Sequence, residues 1–232
     1  MSTCIFISMR VKANRSPPLA TGRALQPELL DSLSPDDPAA LRSRRDLRII
    51  NLIMGNRGWF RHELRRRLHP GERILELGAG SGEMGLALSA EGFVIDGLDT
   101  CPRPPRWPRL QRWHRTDLRS FDRYAEYAAV MANLTLHHFT AVELAALGRQ
   151  FSGARLILAS EPARCRRSQV LFAVFGRMLG ANRITLHDAR VSIAAGFLRE
   201  ELPHALSLTK PTWGWKCGVS TLGAYRMIAL RR

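Results

Sequence analysis

The chain has 232 residues, 45% of them hydrophobic and 24% charged, enough to bury a sizeable core and ordinary for a globular protein. No apolar run approaches the ~18 residues of a membrane-spanning helix. Cys4-Ile-Phe-Ile7 is too short for a signal-peptide core, so the expected location is the cytoplasm. The cysteines Cys4, Cys101, Cys165 and Cys217 are widely spaced and form neither a zinc motif nor a disulfide framework. The net charge of +15 invites a nucleic-acid reading, but the excess is not spread evenly. Residues 1–70 carry 13 basic and 6 acidic side chains, residues 71–160 carry 10 and 10, and residues 161–232 carry 12 and 4. Only Lys12, Lys210 and Lys216 are lysines. An arginine bias of this kind fits GC-rich coding, and no basic and aromatic residues interleave as in RNA-binding sheets. The expected partner is a small molecule and not a nucleic acid. The oligomeric state is open.

In chain order, residues 1–24 lack periodicity, include Pro17-Pro18 and are expected to form a disordered tail. Residues 25–69 are expected to form a helical cap. Pro35-Asp-Asp-Pro38 reads as a turn and helix entry. Apolar residues at helical spacing follow (Leu47, Ile50, Ile53, Met54), and Gly55-Asn-Arg-Gly58 divides the stretch into two helices. If residues 39–68 cover the pocket, a chain without residues 1–68 is expected to keep a folded sheet and lose turnover. From residue 70 onward, strand and helix patterns alternate, the mark of a doubly wound parallel sheet. Strands are predicted at 73–77, 93–98, 111–115, 128–133 and 154–160, and helices at 82–91, 119–127, 139–150, 168–181 and 188–202, the last capped by Asp188. Cys101-Pro-Arg-Pro-Pro-Arg-Trp-Pro108 breaks the alternation, because proline removes N–H donors and clashes within a helix. Two last strands are predicted near 205–210 and 222–230.

The segment Arg73-Ile-Leu-Glu-Leu-Gly-Ala-Gly-Ser-Gly-Glu-Met-Gly85 reads as a buried strand, a glycine loop and a helix start. Such loops sit at the carboxyl ends of strands, where open α/β sheets bind ligands. Asp99 ends the next strand about 20 residues on, the spacing of an acid that accepts from ribose hydroxyls. Gly80-Ser-Gly-Glu-Met-Gly85 also fits the dinucleotide pattern, which cradles a pyrophosphate on backbone N–H groups. Glu76 and Glu83 are poor neighbours for a pyrophosphate. They suit a cofactor with an ammonium and a sulfonium.

Glu76-x-Gly78-x-Gly80-x-Gly82, Asp99, Asp117-Leu118 and the segment from Asn133 to Phe139 occur in order. Together they resemble class I S-adenosylmethionine-dependent methyltransferases of the small-molecule, ubiquinone-biosynthesis-like type. The resemblance spans residues 70–232. It implies a doubly wound, seven-stranded, Rossmann-like α/β sheet ending in an antiparallel hairpin, preceded here by the N-terminal helical cap. It implies that Glu76, Gly78, Gly80 and Gly82 hold the methionine part of S-adenosylmethionine. Asp99 would hold the ribose, Asp117 and Leu118 the adenine, and Asn133 would lie beside the sulfonium. The expected reaction is methyl transfer to a small, largely apolar acceptor at oxygen, with an aromatic, quinone-like or polyketide-like molecule in view.

Alternatives accompany each role. Asp117 could instead cap the following helix. His137, His138 and His187 are candidate bases for a hydroxyl acceptor, since imidazole titrates near neutrality, or they only cap helices and close the pocket. Glu161 could orient a catalytic histidine. Arg164, Arg166 and Arg167 could meet an acidic group or form a solvated turn. Three other functions compete: an RNA or ribosomal methyltransferase using the basic flanks, an NAD(P)-binding oxidoreductase, and a non-catalytic cofactor-binding partner. No metal site is expected.

Overall fold

The computed structural model describes residues 22–34, 36–178 and 180–232. The predicted tail of residues 1–24 therefore lies outside the described residues, except for its last three. Two of these are held in place: the Ala24 N–H donates to the Ala194 carbonyl at 3.1 Å. Arg23 donates to the Ala195 carbonyl at 2.7 Å and to the His137 and Phe139 carbonyls at 2.9 and 3.0 Å.

Two helices follow, α1 (Pro38–Ile53) and α2 (Asn56–Arg67). Asp37 caps α1 by accepting from Ala39 N–H at 2.7 Å, and Pro38 at the first turn sacrifices no needed donor. Gly55, at φ 65°, supplies the left-handed step that separates the helices. The rest alternates as β1 (Arg73–Leu77), α3 (Glu83–Ser89), β2 (Val94–Asp99), β3 (Trp113–Arg115), β4 (Ala129–Asn133), α4 (Ala141–Gln150) and β5 (Leu156–Pro162). It ends with α5 (Arg166–Met178), α6 (Arg183–Ala195), α7 (Glu201–Ala205), β6 (Trp213–Val219) and β7 (Ala224–Arg231).

The seven strands form one sheet in the order β3-β2-β1-β4-β5-β7-β6. The first five run parallel, and β7 and β6 are antiparallel to their neighbours. The strand order reverses between β1 and β4, which opens a crevice at their carboxyl ends. Side-chain alternation divides the core. Leu75, Leu77, Val130, Ala132 and Ile157 face one layer with Leu144 and Leu147 of α4. Ile74, Ile95, Met131 and Leu158 face the other with Phe60 and Leu64 of α2 and Leu88 of α3. Phe60 and Leu64 are fully buried, so α2 belongs to the core of the sheet. A chain without these helices would expose the apolar face of the sheet that Phe60 and Leu64 cover. Arg57, Arg61 and Arg65 of α2 converge on Glu91, and Arg48 of α1 pairs with Glu83, so part of the flank charge serves helix packing.

Three predicted elements are corrected. The helix expected at 119–127 is two 3-10 turns, Leu118–Ser120 and Tyr124–Glu126. Phe121, Tyr124 and Tyr127 all bury in the core, three residues apart, the spacing that 3-10 turns bring into line. The helix expected at 188–202 begins earlier, capped by Asn182 and not Asp188, and breaks at Gly196. A Cβ there would lie 2.2 Å from the Pro162 carbonyl oxygen, so only glycine lets this chain lie against the end of β5. The strand expected near 205–210 is the end of α7 and a turn. Leu206 and Leu208 do bury, but around Ser207 at φ 54°, and the strand forms at Trp213–Val219 instead.

Among the described residues no helix is long and apolar enough to cross a membrane.

Candidate active site

The loop after β1 carries three left-handed glycines, Gly78, Gly80 and Gly82, at φ 59°, 56° and 75°. Their surroundings differ. A Cβ on Gly78 would lie 2.5 Å from the Thr135 methyl group, and one on Gly82 would lie 2.9 Å from the Trp107 ring. Both positions are demanded by packing of the protein on itself. A Cβ on Gly80 would meet nothing within 4 Å, so this is where the loop faces open space. The proline-rich segment supplies Trp107, which is buried, with its indole N–H donating to the Arg112 carbonyl at 3.2 Å. Trp107 and Pro104 cover the start of α3, where a dinucleotide fold would present its helix terminus to a pyrophosphate.

Two carboxylates flank the loop. Asp99 accepts from the Gly80 N–H and the Cys101 N–H, both at 2.7 Å, and so joins the glycine loop to the end of β2. Each of its oxygens keeps lone-pair capacity for a further donor. Glu76 points, by the strand alternation, into the layer of Ile74 and Trp107, where it is 3% exposed. Its Oε2 has no hydrogen-bond partner. Burial, and secondarily the charge of Asp99, pushes the Glu76 carboxyl up to about 8.

This shift has a measurable consequence. An unfolded glutamate titrates near ~4.3. Between that value and about 8, the native state holds a proton that the unfolded state has lost. Stability therefore falls as pH rises through this window, by on the order of 5 kcal/mol in full. Glu76→Gln should remove that slope and make the ligand-free variant more stable than the parent at pH 8 to 9. Urea denaturation of both proteins from pH 5 to 9 tests this, and parallel stability curves would overturn it.

The strand β4 ends in Asn133, and Leu134 follows at φ 56°, an unusual conformation for leucine that the sequence did not signal. Asn133 Oδ1 accepts from Asn56 Nδ2 at 3.0 Å, and its Nδ2 donates to Asn51 at 3.3 Å. Asn56, at the start of α2, also accepts from the Ser160 hydroxyl at 3.0 Å. The N-terminal helices are thus hydrogen-bonded to the carboxyl ends of β4 and β5. The sequence reading named neither Asn51 nor Asn56. The adjacent glycine break of Gly55 and Gly58 was the only signal there.

Glu161, fully buried near the end of β5, organises the next turn. It accepts from the N–H groups of Thr135, Leu136 and His137 at 3.1, 2.9 and 3.3 Å, and lies 2.8 Å from His137 Nδ1. His137 is itself buried. Burial alone would lower its pKa, but the carboxylates of Glu161 and Glu28 outweigh it and raise His137 to about 9. The two carboxylates favour the protonated ring, so a base or ligand role at Nε2 first requires release of that proton. His138, next to it, is exposed, with ring centroids 4.1 Å apart. Both rings line a cavity of about 320 Å³ with Leu25, Glu28, Val191 and Ser192. Glu28, also missed in the sequence, arrives on the segment before α1 and is held by the Ser192 hydroxyl.

The other sequence candidates lie apart from this cavity. His187 is exposed on α6, 3.1 Å from Asp188, and does not line it. Asp188 instead accepts from the Leu29 and Leu30 N–H groups at 2.8 and 3.0 Å. Asp117 caps its 3-10 turn through Arg119 N–H at 2.8 Å and pairs with the Arg119 guanidinium at 2.6 Å. Leu118 is buried in the core. Arg164 is buried and paired with Glu201, while Arg166 and Arg167 are exposed.

Solved structures share this arrangement of chain. The plantazolicin methyltransferase BpumL, in complex with SAH, is 14% identical with a TM-score of 0.64, over 85% of this chain and 91% of that chain. The magnesium protoporphyrin IX methyltransferase ChlM from Synechocystis PCC 6803, with bound SAH, is 15% identical with a TM-score of 0.54, over 81% and 86%. The methyltransferase domain of bacterial CtHen1 is 16% identical with a TM-score of 0.58, over 78% and 99%. The fold is the class I methyltransferase fold. No protein-family model matches the sequence, and no curated protein matches it. Within this fold, Gly80 follows β1, Asp99 ends the neighbouring β2, and the Glu28–His137–His138 cavity lies beyond the end of β4.

Proposed function

We propose that this chain is an S-adenosylmethionine-dependent methyltransferase acting on a small, largely apolar acceptor at oxygen. The observation that carries the reading is the pair of acids at the glycine loop. The loop's open point, Gly80, is hydrogen-bonded to the carboxylate of Asp99, and the strand leading into the loop carries Glu76, a buried carboxyl with an unpartnered oxygen beside Gly85. That surrounding favours a cationic ligand and opposes a pyrophosphate, and the Gly80 N–H is already given to Asp99. Trp107 and Pro104 over the start of α3 disfavour the oxidoreductase alternative for the same reason. In this reading Glu76 faces the ammonium side of the cofactor, Asp99 accepts from the ribose hydroxyls, and Asn133 borders the methyl group. Asp117 is the candidate for adenine, in competition with Arg119.

The acceptor is assigned to the cavity beside His138. Its lining is mixed, with Leu25, Pro27, Val191 and Ala195 beside Gln26, Glu28, Ser192 and the two histidines, which suits a small acceptor with an apolar body and a hydroxyl. A sulfonium is already a strong electrophile, so the protein's contribution is alignment and exclusion of water. His138 is the histidine that faces the acceptor in this reading. His137 holds the turn through Glu161.

Calorimetry with S-adenosylmethionine, S-adenosylhomocysteine and NADH tests the cofactor assignment. The first two should bind and NADH should not. NADH binding alone would refute the proposal. Gly80→Val places a side chain in the open space at a strained φ. It should leave a folded protein that binds S-adenosylmethionine at least ~100-fold more weakly, the equivalent of about 2.7 kcal/mol. Parental affinity in that variant would move the ligand away from the loop.

A further inference from the structure

His137 presents an unusual arrangement. Its Nδ1 is fixed 2.8 Å from the fully buried Glu161 carboxylate. Its side chain is 3% exposed, and its other nitrogen, Nε2, has no hydrogen-bond partner. Nε2 points toward Glu28 Oε1 at 3.7 Å, too long for a hydrogen bond. One donor atom from each of Glu28, His137 and His138 lies within 4.8 Å of the others, at the wall of the cavity. We infer that Glu28, His137 and His138 form a binding site for a divalent transition-metal ion of the zinc class, with Glu161 orienting His137 from behind.

The donor set and the spacing both support this. Two imidazoles and a carboxylate suit zinc and its neighbours and are poor ligands for calcium or magnesium. In a tetrahedral site with bonds near ~2.0 Å, donors stand about 3.3 Å apart. The His137–Glu28 separation of 3.7 Å is close to that, and a ring nitrogen of His138 lies within 4.8 Å of both. A metal-bound histidine characteristically gives its second ring nitrogen to a carboxylate, the relation His137 already has with Glu161. Three protein ligands leave a coordination position open to the cavity, where a water or an acceptor oxygen fits. Glu28 is held in range by Ser192, on a segment strapped to α6 through Asp188. Metal binding would thus fasten that segment to the turn after β4. The inference is independent of methyl transfer, because it concerns binding alone.

The full-length protein, stripped with chelator, is titrated with Zn²⁺ by calorimetry and with Co²⁺ by visible absorption. One equivalent should bind. Glu28→Gln, which keeps an oxygen for Ser192, and His138→Ala should each weaken binding at least ~10-fold. His187→Ala, outside the cluster, should bind as the parent does. X-ray absorption of the zinc-loaded parent needs no variant and should show two imidazoles with oxygen neighbours. Absence of binding, parental affinity in both cluster variants, or sulfur in the zinc shell would each overturn the site.

Discussion

Asp99→Ala should lower the affinity for S-adenosylmethionine by about 10² to 10⁴-fold. Two hydrogen bonds from ribose hydroxyls to a charged acceptor are removed, each worth roughly 1.5–3 kcal/mol. The same carboxylate also anchors the glycine loop, through Gly80 and Cys101 N–H at 2.7 Å. The alanine variant therefore loses both ligand contacts and preorganisation of the loop. Asp99→Asn separates the two contributions, since an amide oxygen still accepts from Gly80 while the charge is gone. It should fall between parent and alanine. Calorimetry on the three proteins, with melting curves to verify folding, gives the answer. Equal affinity in parent and alanine variant would remove Asp99 from the cofactor site.

Glu161→Ala should be the most destabilising single change in the turn after β4. The side chain is fully buried and accepts from three backbone N–H groups and the His137 ring. Its loss leaves the charged imidazole and the N–H groups of Thr135, Leu136 and His137 without an acceptor. Breaking a buried charge pair from one side costs about 3–5 kcal/mol, a large part of the ~5–15 kcal/mol that a domain possesses. Glu161→Gln retains an acceptor for the backbone and should recover part of the loss. Urea midpoints at pH 7 measure both. A shift in the alanine variant equivalent to under about 1 kcal/mol would mean that the turn is held by its packing and not by this carboxylate.

These two acids show how unevenly the site was written in the sequence. Asp99 was legible because its role is local to a pattern: an apolar strand, a glycine loop and an acid about 20 residues on. Glu161 was legible only as an acid at a strand end, with orientation of a histidine as one suggestion. That it gathers four donors from the turn after β4 depends on β4 and β5 lying side by side, with Asn133 opposite Ser160. Glu28, Asn51 and Asn56 carried no local pattern at all. Their partners are distant in the chain, as with Arg23, which reaches the His137 carbonyl across 114 positions. Propensity likewise failed where burial overruled it, as with the aromatic residues of 121–127 and the leucines of 205–210.

The sequence by itself determined the alternation of strands and helices, the glycine loop with its two acids, and the proline-rich departure from a helix. Each follows from short-range causes: side-chain periodicity, the left-handed freedom of glycine and the missing N–H of proline. Tertiary structure alone decided which face of each residue is spent on the protein and which is left for a ligand. Three glycines of equal appearance became two packing positions, against Thr135 and Trp107, and one open position at Gly80. Three histidines of equal appearance became a buried ring held by Glu161, an exposed cavity residue and an exposed residue of α6 beside Asp188. The environment that separates them is built from segments far apart in the chain, and its desolvation and charge exist only once those segments have met.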